Sequence, residues 1–188
     1  MTPNSPRGVP CLMVLVGLPG SGKTTWARRN GRGMVHVSQD GLINAITPDG
    51  FDHAYRPVYR EAEDAVARSA LQAGHIVIVD RTNRTRMHRE RWLQIAREAS
   101  CPAVVVVMTT PDALCRERNA KRSASSRLSE ERMDRMLAAR EQVIPGEGFI
   151  AIHFENGMGS GATLYEIIPQ SIFQEKEQLP NEHCHQAR

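Results

Sequence analysis

The chain has 188 residues, 40% of them hydrophobic and 24% charged, which fits one domain with a substantial core. Its net charge of +3 tolerates anionic partners without demanding nucleic acid. No apolar run approaches the roughly 18–20 residues of a bilayer span, so a helical membrane protein is excluded.

The opening MTPNSPRGVP lacks the apolar stretch of a secretion signal. Cys11, Cys101, Cys115 and Cys184 show no CxxC spacing, so reduced thiols and a cytoplasmic location (nuclear if the source is eukaryotic) are expected. Strand-length apolar runs alternate with segments of helical period. CLMVLV (11–16), MVHVS (34–38), IVIVD (76–80), AVVVVMT (103–109) and FIAIHF (149–154) are the expected strands, with the valine and isoleucine content of strands buried on both faces. Helices are expected from Lys23, near Pro57, near Met87, after Asp112 and after Ser129. Pro57 suits a first helical turn and Gly74 a stop. Ser129 caps EERMDRMLAAREQ, a helix that Pro145 and Gly146 end, with Met133, Met136, Leu137 and Val143 as core packing.

This alternation predicts an α/β fold, a five-stranded parallel sheet with helices on both faces. It occupies residues 1–168, including a glycine-rich turn at 156–163 that leads to LYEII. Residues 169–188 form a polar tail, in which HCH (183–185) has no partner ligands at zinc-site spacing.

Gly17-Leu-Pro19-Gly20-Ser21-Gly22-Lys23-Thr24 satisfies G-x-x-x-x-G-K-[ST] between an expected strand and an expected helix. Glycines let such a loop curl its amides inward onto phosphate oxygens, and the helix adds its positive end. Lys23 would reach the β- and γ-phosphates of ATP or another nucleoside triphosphate, Thr24 would hold Mg²⁺, and Thr25 lines the same turn. Binding of a nucleoside triphosphate follows.

Phosphoryl transfer to a hydroxyl needs a carboxylate to take the proton. Asp40 follows the second strand, where a parallel sheet gathers its active site, although aspartate there also suits a helix cap. Asp80 closes an apolar strand, the arrangement that holds a Mg²⁺ shell, with turn formation as the alternative. Asn83 could orient the same site or the substrate. Arg118 and Arg122, four apart before a serine-rich break, suit a mobile lid over about 112–128 that delivers charge to the nucleotide; a solvated basic helix is the alternative.

These pieces resemble the P-loop polynucleotide 5′-hydroxyl kinases. The matching residues are Gly17 to Arg28, VHVSQD (Val35 to Asp40), V-D-x-TN (Val79 to Asn83), Arg118 to Arg122 and P-x-EGF (Pro145 to Phe149), over about 11–154. The resemblance implies a doubly wound fold and γ-phosphate transfer to a 5′-OH of DNA or RNA. It also implies Asp40 as general base, Lys23 and Thr24 on phosphates and Mg²⁺, and Arg118 and Arg122 as lid contacts.

Many members carry an arginine beside the base aspartate, where this chain has Gln39 and Ile43. The basic run Arg81, Arg84, Arg86 and Arg89 could replace it by contacting phosphates of a nucleic-acid end. Three classes stay open: a nucleic-acid 5′-kinase, a kinase of a small molecule or aminoacyl-tRNA on the same scaffold, and a non-catalytic nucleotide-binding module. The proton acceptor at Asp40 argues against the third.

Overall fold

A computed structural model describes residues 9–124 and 126–156. Five strands, β1 (Cys11–Val16), β2 (Val35–Ser38), β3 (Ile76–Asp80), β4 (Ala103–Met108) and β5 (Ala151–Glu155), form one sheet in the order β2-β3-β1-β4-β5. Every pairing is parallel. Six helices connect them: α1 (Lys23–Asn30), α2 (Gln39–Ile46), α3 (Arg56–Gln72), α4 (Arg86–Glu98), α5 (Asp112–Ala120) and α6 (Glu130–Ala138).

β1 is buried along its whole length because helices cover both faces of the sheet. Leu12, Val14 and Val16 face α3 and α4, where Ala67, Leu71, Trp92 and Leu93 meet them. Cys11, Met13 and Leu15 face the other way, against Trp26 and Ala27 of α1. A third cluster, Leu18, Cys115 and Met133 with Met136 and Leu137, ties the phosphate-type loop to α5 and α6, so those methionines do pack as a core.

The expected strands all form, within two residues of their expected limits. Two points differ from the expectations. The segment after β2 forms a helix, α2, which was not among the expected helices although its cap was weighed at Asp40. The helix after Ser129 ends at Ala138, well before Pro145. Its continuation is captured by tertiary bonds: the Glu141 amide donates to the Arg84 carbonyl at 2.8 Å, and Arg89 donates to the carbonyls of Glu141 and Gln142. Val143 therefore packs on the α3–α4 core from the segment after the helix.

The turn beyond Asn156, LYEII, the boundary at residue 168, the tail and Cys184 lie outside the described residues. Cys11, Cys101 and Cys115 are free thiols. Among the described residues no helix is long and apolar enough to cross a membrane.

Candidate active site

All strand carboxyl ends lie at one edge, and the chemistry-bearing residues collect there. The loop from Gly17 to Gly22 leaves β1 and enters α1 through Gly22, whose left-handed φ of 97° a side chain would strain. At Gly20 a Cβ would sit 2.5 Å from the Cys115 carbonyl, so only glycine lets the loop pass α5. Pro19 and Ser21 are buried and shape the loop: Ser21 gives its carbonyl to Thr110 and turns its hydroxyl toward Lys23.

Lys23 folds back into the loop, donating to the carbonyls of Gly17 and Leu18 at 3.0 and 2.8 Å. Burial pushes its ammonium down to about 8, against the pull of Asp80 and, more weakly, Asp40. A cleft of about 560 Å³ opens beside it, lined by Gly20, Gly22, Thr24, Thr25, Arg29, Arg118 and Arg122. Arg118 donates to the Gly20 carbonyl at 3.2 Å, and Arg122, just past the end of α5, is close enough to depress Lys23. Arg29 was not expected from sequence. It stands one turn beyond Thr25 on α1, a spacing that identifies it once Thr25 is placed.

Asp40 is the second residue of α2 and is exposed. Its capping alternative belongs to Ser38, whose hydroxyl accepts from the Gly41 amide, so the Asp40 carboxylate stays available. Ser38 and Asp80 are register partners across β2 and β3, so Asp40 leaves the sheet beside Asp80.

Asp80 is only 7% exposed. Burial raises its carboxyl, but hydrogen bonds from His36 and Thr24 and the Lys23 charge outweigh that and hold it below the usual value. The His36 bond is 3.3 Å long, a contact that the β2–β3 register explains and sequence spacing does not reveal. An ionised carboxylate beside a threonine hydroxyl at the mouth of the loop fits Mg²⁺, which takes few protein ligands and completes its shell with phosphates and water. Among the described residues no group of three or more His, Cys, Asp or Glu gathers for a metal.

The D-x-TN turn does other work than expected. Asn83 is buried at φ 42°, donates to the Leu15 carbonyl at 2.8 Å and accepts from the Trp92 indole at 3.0 Å. It braces β1 against α4, with its side-chain amide engaged inside the protein.

The basic run also divides. Arg89 is fully buried on Glu147, so it cannot contact a strand. Arg81 pairs with Glu63 at 2.5 Å, and Arg91 with Glu63 and Asp64. Arg84 keeps its Nε buried without a partner, and Arg86 is exposed. The pairing of Glu63 with Arg81 and Arg91, and of Arg89 with Glu147, was missed because it depends on partners remote in sequence.

The profile of the AAA domain family matches residues 12–143. The chain belongs to that family. Its fold is that of a P-loop kinase: a crystal structure from Chloroflexus aurantiacus superposes with a TM-score of 0.62 at 19% identity, covering 91% of this chain and 96% of that one. An L-seryl-tRNA(Sec) kinase of Methanococcus maripaludis is 28% identical over 116 residues, 59% of this chain and 46% of its own length. A bifunctional polynucleotide phosphatase/kinase of Schizosaccharomyces pombe is 26% identical over 110 residues, 57% of this chain and 23% of its own. The family member thus spans less than half the length of these two curated relatives.

Proposed function

We propose that the protein is an ATP-dependent kinase that transfers the γ-phosphate to a hydroxyl, with the 5′-OH of a nucleic-acid end as acceptor. The observation that carries the transfer is the convergence of Lys23, Asp40 and Asp80 at the ends of three adjacent strands, with Lys23 feeling both carboxylates. A purely binding module needs no exposed, uncommitted carboxylate at Asp40.

In this reading the loop amides and Lys23 hold the triphosphate, and Arg118, Arg122 and Arg29 approach it from the cleft wall. Thr24 and Asp80 would hold Mg²⁺, which neutralises charge on the phosphates. The acceptor oxygen bonds to the γ-phosphorus as the β–γ bridge breaks, and its proton passes to Asp40. The acceptor assignment rests on the order of VHVSQD and D-x-TN behind the loop and on the polynucleotide phosphatase/kinase among the relatives.

A second reading, a small-molecule or aminoacyl-tRNA acceptor, is favoured by one finding. Most cations of the 81–97 segment are spent on internal ion pairs, so α4 offers no continuous track for a strand. Incubation with γ-labelled ATP and a panel of 5′-OH DNA and RNA oligonucleotides, nucleosides and small alcohols separates the two. Label on oligonucleotide ends supports the first reading, and label confined to a small acceptor overturns it.

A further inference from the structure

Donor and acceptor functions divide across the sheet. The loop after β1 and the arginines after β4 hold the nucleotide side, while β2 and β3 deliver Asp40 and Asp80 on the other. Beyond β3, the amino-terminal ends of α3 and α4 come together at this same edge. Arg91 joins them by donating to the Arg60 carbonyl at 2.7 Å and to Asp64 at 2.8 Å.

The charges at this junction do not balance. Arg60, Arg81, Arg84 and Arg91 all bear on His88, and burial together with these four cations keeps its imidazole below the ordinary value. Two carboxylates answer them, Glu63 and Asp64, and both are taken by Arg81 and Arg91. The next, Glu141, accepts from the Arg86 amide at 2.5 Å and so caps α4. Among the described residues neither Arg60 nor Arg84 has a carboxylate within 4.0 Å. Arg60 is exposed, Arg84 and His88 are half-buried, and the Arg84 Nε is shielded from solvent with nothing to donate to. A buried donor left without an acceptor is destabilising, and an arriving anion would supply the acceptor.

We infer that Arg60, Arg84 and His88 form an anion site for the acceptor, binding the phosphodiester next to the 5′-OH nucleotide. The site rests on the kinase reading above and deepens it. A diester needs only such charge and donors, and these contacts position the strand without reading its bases.

The test compares 5′-OH oligonucleotides that carry a neutral methylphosphonate at either the first or the second linkage. In the wild type the first-linkage substitution should raise KM about tenfold with little change in kcat, and the second-linkage substitution should do less. Arg60→Ala and Arg84→Ala should raise KM for the native oligonucleotide by a similar factor and abolish discrimination against the methylphosphonate. Anisotropy of the labelled oligonucleotide without ATP gives a readout independent of turnover. An oligonucleotide phosphorylated equally well with either linkage neutralised overturns the site and leaves the kinase reading intact. An oligonucleotide bound through Arg60 and Arg84 but never phosphorylated overturns the acceptor and keeps the site. Neither binding nor phosphorylation overturns both.

Discussion

Arg89 and Glu147 meet in a buried bidentate ion pair, each of its two hydrogen bonds 2.7 Å long and each side chain closed to solvent. The same guanidinium holds the carbonyls of Asn83, Glu141 and Gln142. It therefore fixes the D-x-TN turn and the segment after α6 at once.

Removing one partner of such a pair strands the other charge, at about 3–5 kcal/mol. Glu147→Gln and Arg89→Met should each lose stability of that order in chemical denaturation, and the double variant should lose less than both together. Burial raises the Glu147 carboxyl, but bonds from Arg89 and the Ile144 amide more than offset this and leave it below the ordinary value. A depressed folded value means that the stabilisation is full above the unfolded glutamate value of about 4.3 and is lost as pH falls through the folded one. The gap between wild type and Glu147→Gln should accordingly narrow below about pH 4.

Asp40→Asn removes the proton acceptor and keeps the size of the side chain. Its kcat should fall by about 100- to 10,000-fold while ATP affinity, measured by calorimetry, is retained. Turnover at the wild-type rate would show that Asp40 is not the base.

Asp80→Asn should raise the Mg²⁺ concentration for half-maximal activity about ten- to a hundredfold, the worth of one charge-assisted contact. Thr24→Ala should act in the same direction and less strongly. If the Mg²⁺ titrations of both variants overlay the wild type, the metal is held elsewhere.

The arginines around the loop should separate in steady-state kinetics. Arg122→Ala should lower kcat by about a thousandfold, as loss of a cation on the transferring phosphate does. Arg29→Ala should raise KM for ATP about tenfold with kcat kept. Arg116→Ala should change neither, because Arg116 lies outside the cleft lining and binds Glu130 and Asp134 on the surface. An Arg116 effect as large as that of Arg122 would contradict the placement of Arg122 on the cleft wall.

What the sequence displayed was local. The loop from Gly17 to Thr24, the strand ends at Ser38 and Asp80 and the Ser129 cap each depend on a few neighbouring residues, and each formed where the pattern put it. The basic run misled for the opposite reason. Its residues look alike along the chain, yet Glu147, 58 positions from Arg89, decides that Arg89 is core, and Glu63 decides that Arg81 is tethered. Asn83 likewise looked available until Leu15 and Trp92 claimed its amide. His36 met Asp80 only through strand register.

The most direct test is transfer from γ-labelled ATP to a short 5′-OH oligonucleotide, beside the same oligonucleotide already carrying a 5′-phosphate. The account predicts Mg²⁺-dependent label on the 5′-OH end alone, removable by phosphatase and lost in Asp40→Asn. Label on neither oligonucleotide, with a small alcohol phosphorylated instead, would contradict it.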